Sequence, residues 1–300
     1  MRFGLSIPNF GDSSDSRILA SLAHDAEAAG WDGFFLWDHV LFTELPHSDP
    51  WIALAAIALQ TEHIRIGPLV TPVTPVTPVT RRRPIKLARE TVTIDRLSNG
   101  RLIFGVGSGF GWEYDGLGEE TDPQVRGAML EEFLDVLTGL WSGEPYVHHG
   151  AHYHVEVRLP WRDEPAAFLP TPIQKPRIPI WVAGMWPNKP PFRRAARWDG
   201  VAPISVNAGP DPQQLTPDDL RAIIAYTLSH RETGDPFEVI TYGVTPHDPT
   251  EAGAQVAPYS EAGVTWWIDD LSPWSFGWQP PAPWPTDAIR ARIQAGPPRL

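Results

Sequence analysis

Asp38 and His39 are adjacent, and together they are the best general acid–base candidate in the chain. Imidazole titrates near neutrality, and a neighbouring carboxylate can set its tautomer or raise its pKa. The plainer reading is a helix-capping aspartate beside a structural histidine. Gly107-Ser108-Gly109 would let the backbone approach a ligand closely, with the Ser108 hydroxyl alongside, or would simply make a tight turn. Residues 184–189 precede a helix and could aim backbone N–H groups and Lys189 at a phosphate. Arg193, Arg194 and Arg197 follow and read as a solvated helix face. His148, His149, His152 and His154 form the one histidine cluster; a metal would need several of them to converge in space, and no metal is expected. Glu119-Glu120 and Glu131-Glu132 read as surface charge away from other titratable groups. Most tryptophans fall in or beside elements and read as core. Trp112 and Trp186 fall in loops where large rings could shelter a flat cofactor or an apolar substrate.

Apolar periodicity supplies the elements that must position these groups. Strands are expected over 3–8, 33–37, 64–70, 102–106, 178–183, 200–204, 237–244 and 264–268. Helices are expected over 16–29, 51–60, 84–97, 125–141, 192–198, 217–230, 251–261 and 286–295. The proline-rich stretch 144–178, with a hairpin-like 146–157 inside it, reads as an insertion or lid after the fourth βα unit. This alternation predicts one (β/α)8 barrel domain over 1–300, rather than an open doubly wound sheet. A barrel puts chemistry at the C-terminal strand ends, where Asn9, Asp38-His39, Val70-Thr71, Gly107 to Gly109, Gly184 to Trp186, Ser205, Asn207 and Asp269-Asp270 fall. Residues 71–80 read TPVTPVTPVT, and proline at every third position favours a stiff polyproline II spacer at the mouth.

Composition narrows the classes. The chain has 300 residues and a formal net charge of −12, with no basic run, which argues against a nucleic-acid binder. Zero cysteines exclude disulfides, thiolate metal sites and cysteine nucleophiles. No apolar run approaches the ~20 residues of a membrane helix, and the N-terminus is a poor signal peptide, so a cytoplasmic protein is expected. The 34 prolines and 25 glycines are spread among apolar periodic segments, which suggests many loops between real elements.

At these residues the sequence resembles the bacterial luciferase-like oxidoreductase family. The strongest stretch is 81–110, RRRPIKLARETVTIDRLSNGRLIFGVGSGF, where a helix ends in a D-x-L-S-x-G-R turn and leads into a glycine-rich strand end. AAGWDGFFLWDH at 28–39, QKPRIPIWVAG at 174–184 and RRAARWDG at 193–200 support it in the expected order, and 206–300 match loosely. The resemblance implies a (β/α)8 barrel with reduced FMN or the deazaflavin coenzyme F420 across its mouth. It further implies Asp38 and His39 near the flavin ring, and Val70 and Thr71 as a third-strand bulge supporting it, often with a non-prolyl cis peptide. Ser108 and Gly109 would be strand-four contacts, Gly184 to Trp186 would take the ribityl chain or phosphate, and the 145–176 region would cover the substrate side. The 71–80 repeat is longer than the usual connection there, and the missing cysteine removes any thiol mechanism.

The leading expectation is therefore a monooxygenase using reduced FMN and O2 on a small organic substrate, with His39 as acid or base. The oxygen adduct of the reduced flavin would need a dry, aromatic-lined pocket. A separate flavin reductase and a homodimer would accompany it. Hydride transfer with F420 is the rival, followed by a non-catalytic flavin-binding protein and, last, a metal-dependent hydrolase.

Overall fold

The computed structural model describes residues 1–41, 44–69, 77–109, 112–205 and 214–300. The chain alternates β1 (Arg2–Ile7), α1 (Ser16–Ala28), β2 (Gly33–Leu36), α2 (Pro50–Gln60), β3 (Arg65–Pro68), α3 (Pro84–Leu97), β4 (Phe104–Gly107) and α4 (Pro123–Trp141). It continues with β5 (Ile180–Trp186), α5 (Lys189–Ala195), β6 (Gly200–Ser205), α6 (Pro217–Leu228), β7 (Glu238–Gly243), α7 (Pro249–Glu261), β8 (Trp266–Asp270) and α8 (Thr286–Gln294). All these strands pair in parallel, in the order β3-β2-β1-β8-β7-β6-β5-β4. A parallel bridge between Ile66 and Leu102 joins β3 to the segment entering β4, with Ile66 N donating to Arg101 O and Ile103 N to Ile66 O. The (β/α)8 barrel expected from the periodicity is what forms.

Local chemistry explains the helix starts. Asp49, Asp122, Thr216 and Asp248 cap α2, α4, α6 and α7 through their side chains, each followed by proline at the first helical position. Proline's fixed φ suits that position, and its missing N–H would have been unpaired there anyway. Much of the proline content thus starts helices. At the β3/β4 seam, a Cβ on Gly67 would collide with the Ile103 carbonyl oxygen, and one on Gly105 with that of Pro68, so glycine permits the closure.

Inward-facing residues fill the lumen. Phe35, Trp181 and Trp266 meet with ring centroids 5.3–5.9 Å apart, under Ile204, Tyr242 and Ile268. The alternate residues of the same strands face the helices, as Leu5, Phe34, Phe104 and Val182 do. Burying each such aromatic stabilises the fold by about 4–6 kcal/mol before entropy is counted.

Four expectations change. The strand expected over 264–268 is Trp266–Asp270, because Gly263 carries the turn two residues further on. The helix expected over 192–198 starts at Lys189 and ends at Ala195, drawn forward by Pro190 and Pro191 in its first turn. The 71–80 repeat does not end as a spacer: Thr77–Pro78 pairs in parallel with Val106 and Gly107. The rest of that repeat, with Val70 and Thr71, lies outside the described residues, as does Asn207.

The 144–178 segment is not a lid. Its hairpin, Val147–His149 against His154–Glu156, packs on the outside of α4, where Phe133 meets Tyr153 edge-on at 5.7 Å. Its return leg lies on α3, with Arg89 and Arg96 donating to the Leu169 and Thr171 carbonyls. The reason is topological: it links the C-terminus of α4 to the N-terminus of β5, and both lie at the barrel end opposite the catalytic mouth. Among the described residues, none of 144–178 lines the mouth cavity.

Candidate functional site

At the end of β2 the Asp38 carboxylate is fully buried between two arginines. Arg81 Nη2 donates to its Oδ1 at 2.9 Å and to its backbone oxygen at 2.8 Å, and Arg82 Nη2 donates to both carboxylate oxygens at 2.8 and 2.9 Å. Burial works against the Arg82 charge, but the Asp38 carboxylate more than offsets it and holds the guanidinium above its usual pKa. The structure thus places the Asp38 side chain of the expected acid–base pair in an ion pair with Arg81 and Arg82. Asp38 is an ion-pair anchor tying the β2 loop to the start of α3, and its charge is spoken for by Arg81 and Arg82.

His39 is buried at the mouth, and Asn9 holds its backbone from both sides. Asn9 Nδ2 donates to His39 O at 2.8 Å, and His39 N donates to Asn9 Oδ1 at 3.2 Å. Asn9 Nδ2 also donates to Ser48 O at 2.7 Å. The Asn9 amide is thus engaged with backbone groups of His39 and Ser48, and in this way Asn9 positions His39. The rings of Phe10 and Trp37 stand edge-on to the imidazole at 6.2 and 5.7 Å.

On the opposite side, a cavity of about 800 Å³ opens between the ends of β4, β5 and β6 and the N-termini of α4 and α5. Gly107, Ser108, Gly109, Gly184 and Met185 line it, as the barrel rule required of them. Gly109 sits at φ +81°, and a Cβ there would strike the Tyr114 ring, whose hydroxyl donates to Ser108 O at 3.2 Å and pairs with Thr80 Oγ1 at 3.1 Å. A Cβ at Gly184 would lie 2.7 Å from Pro191 Cβ.

The cationic wall comes from Arg126, which the sequence reading passed over, and from Arg194, which it read as part of a solvated helix face. Arg126 and Arg194 line the cavity and are buried. Arg126 packs over the Tyr114 ring at 4.6 Å, and its buried Nε has no hydrogen-bond partner among the described residues. Arg194 Nη2 donates to Glu131 Oε1 at 2.8 Å and to Gly127 O at 3.2 Å, locking α5 against α4. Glu131 is thus an ion-pair partner, and Glu132 accepts from His148 Nε2, His152 N and Tyr153 N, so neither is idle surface charge. For Arg126 the signal was available: it lies in the first turn of the helix after β4, which must face the mouth, whereas Arg194 lies in the last turn of α5.

Two expected contacts go elsewhere. Trp186 points outward from β5, edge-on to Phe192 at 5.2 Å, and does not line the cavity. Lys189 Nζ lies 3.4 Å above the Trp186 ring and 4.3 Å from that of Tyr226, a cation–π stack on the helix side rather than a phosphate contact. Pro187, Pro190 and Pro191 also remove backbone donors from this end of α5. The side chain of Trp112 lies outside the described residues. Among the described residues no group of three or more His, Asp or Glu side chains is arranged to hold a metal. No described helix is long and apolar enough to cross a membrane.

The model of the luciferase-like monooxygenase family matches residues 1–264. The chain is 32% identical over 179 residues to the oxygenase component of the flavin-dependent trigonelline monooxygenase of Acinetobacter baylyi, covering 58% of this chain and 44% of that one. It is also 32% identical over 179 residues to the F420-dependent glucose-6-phosphate dehydrogenase of Nakamurella multipartita, covering 57% of this chain and 49% of that one. The chain spans about half the length of the curated relatives it matches. In fold it is similar to an F420-dependent secondary alcohol dehydrogenase, with a TM-score of 0.73, 15% identity and coverage of 98% and 97% of the two chains. It is likewise similar to the oxygenating constituent of 3,6-diketocamphane monooxygenase of Pseudomonas putida, with a TM-score of 0.63, 20% identity and coverage of 86% and 71%. The chain belongs to the luciferase-like monooxygenase family.

Proposed function

We propose that this chain is a flavin-dependent oxidoreductase that uses reduced FMN and O2 on a small organic substrate, with the cofactor lying across the barrel mouth. The observation that carries the reading is the buried Arg126 guanidinium, which lines a cavity bordered by Gly107, Ser108, Gly109 and Gly184 and whose Nε has no hydrogen-bond partner among the described residues. A buried guanidinium donor beside a side-chain-free backbone suits a phosphate, while Arg194 on the same wall is ion-paired with Glu131. Bound reduced FMN would supply the electrons that activate O2. His39, held by Asn9 among aromatic rings, would hold or release a proton on its imidazole next to the flavin ring. Val70 and Thr71 are proposed as ring supports. The Phe10 and Trp37 side of the mouth keeps water from the reacting atoms.

The reading includes a separate reductase delivering reduced flavin, supported by the relative named as an oxygenase component. It also includes a cytoplasmic location and a homodimer; the dimer is supported by Ile52 and Leu59, two turns apart on α2 and 68% and 69% exposed. Hydride transfer with F420 is the second reading, supported by the relative named as F420-dependent. Equilibrium binding of FMN and F420, each oxidised and reduced, tests both. Preference for reduced FMN supports the oxygen-using reading, preference for F420 supports the second, and binding of neither overturns both. A carrier without turnover would bind flavin yet consume no O2.

A further inference from the structure

Across the mouth from the cavity, β8, β1 and β2 carry a second lining. Asp270 and Ser6 are register partners at inward positions, and Trp37 Nε1 donates to Ser6 Oγ at 2.9 Å. The Trp274 ring stacks on Trp37 with centroids 6.3 Å apart and planes 23° from parallel. Phe10 backs both, at 5.8 and 6.0 Å, and Trp284 closes behind it at 6.0 Å. Trp274 remains 40% exposed, so this corner keeps some accessible aromatic surface.

Asp270 holds the turn that presents Trp274. Its carboxylate accepts from Ser272 N and Ser272 Oγ, both at 3.0 Å, and from Ser275 Oγ at 3.2 Å. All three donors are neutral. Among the described residues no Lys, Arg or His pairs with it, whereas Asp38 has two guanidinium partners and the adjacent Asp269 is paired with Arg292. Burial pushes the Asp270 carboxyl up to about 6, as expected of a carboxylate without a resident counter-ion. One inward position lower on the neighbouring strand, the buried Tyr242 hydroxyl also has no partner.

We propose that this aromatic–carboxylate corner is the substrate subsite, and that it takes a flat organic cation such as a quaternised or protonated nitrogen heterocycle. Ring faces attract a cation through their quadrupoles, and an uncompensated carboxylate supplies the full charge. The protein satisfies a cation of its own in the same way where Lys189 lies over Trp186 and Tyr226. A net charge of −12 favours cations over anions in the field of the chain as a whole. An anionic substrate would meet Asp270 with nothing to offset it. This substrate class rests on the flavin reading above, with the cofactor in the cavity side of the mouth and the substrate opposite.

The test is calorimetric titration of the purified full chain at pH 8 with N-methylpyridinium and with toluene, its uncharged isostere, run with and without FMN. The cation is expected to bind about tenfold or more tighter than toluene. Asp270→Asn should abolish that preference while leaving toluene affinity unchanged, and Trp274→Leu, at an exposed position, should weaken the cation about fivefold or more. Equal affinity for the two probes, or a preference that survives Asp270→Asn, overturns the proposal. Flavin affinity is measured in the same samples, so the two readings separate. Cation preference without flavin binding supports this subsite and removes the cofactor reading; flavin binding without cation preference removes this subsite alone.

Discussion

Arg82 Nη2 lies 2.8 and 2.9 Å from the two carboxylate oxygens of Asp38, and this buried pair fixes the loop that carries His39. Asp38→Asn would leave two arginines facing a neutral amide in a buried setting. The variant is expected to lose about 3–5 kcal/mol of stability, read by urea denaturation. If Asp38 instead worked as the partner of an acid–base pair, stability would hold and only the pH dependence of turnover would move.

Arg126 and Lys189 should separate sharply. Arg126→Met would take away the guanidinium proposed to meet the cofactor phosphate, so FMN affinity should fall about 10- to 100-fold. Lys189→Met leaves the cavity wall unchanged because Nζ lies over the Trp186 ring, and FMN affinity should stay within about twofold. Fluorescence titration of FMN reads both. A larger loss from Lys189→Met would return the phosphate site to the start of α5.

His39→Ala should lower the steady-state rate with FMN, O2 and substrate by about 10²- to 10⁴-fold while FMN affinity changes little. Asn9→Ala should reproduce part of that loss, since its amide only positions the His39 backbone. Unchanged turnover in His39→Ala with FMN still bound would remove its role.

Asp270 gives a pH signature in stability. Its folded pKa of about 6 lies above the ordinary aspartate value of 3.8, so the native state holds this proton more tightly than the unfolded chain does. The stabilisation it provides is therefore complete below about pH 4 and is lost as pH rises to about 6. Asp270→Asn should be more stable than the parent at pH 8, by at most about 3 kcal/mol, with the gap closing near pH 4. Paired urea titrations at pH 4.5 and pH 8 check the sign.

Ile52→Lys with Leu59→Lys places two charges on the exposed apolar stripe of α2. If that stripe joins two copies, sedimentation should shift from dimer to monomer with the far-UV spectrum retained. A parent that is already monomeric removes the dimer.

Much of the barrel was readable because buried strands and amphipathic helices leave local periods in the chain. Residues 84–97 run from proline to the Ser98 stop in the sequence and as α3 in the structure. The D-x-L-S-x-G-R turn was equally legible as a marker, but its work is structural. Asp95 accepts from Ile173 N and the Gln174 side chain, and Arg101 donates to the Ala58, Thr61 and Ile64 carbonyls at the end of α2. The site was legible in part. Gly107, Ser108, Gly109, Gly184 and Met185 converge as the barrel rule demands, whereas Trp186 and Lys189 turn to the helix side.

Sequence alone determined the order of strands and helices, the strand ends where chemistry gathers, and the family. Those properties follow from local spacing, from capping residues and from motifs a few residues long. Tertiary structure decided which charges meet. Asp38 meets Arg81 and Arg82 from 43 and 44 positions away, Glu131 meets Arg194 from 63 away, and Asp270 meets no cation among the described residues. Pairing across such separations depends on barrel closure and on which face of a strand a residue occupies. A shift of one position in β8 would exchange Asp269 and Asp270 between lumen and shell.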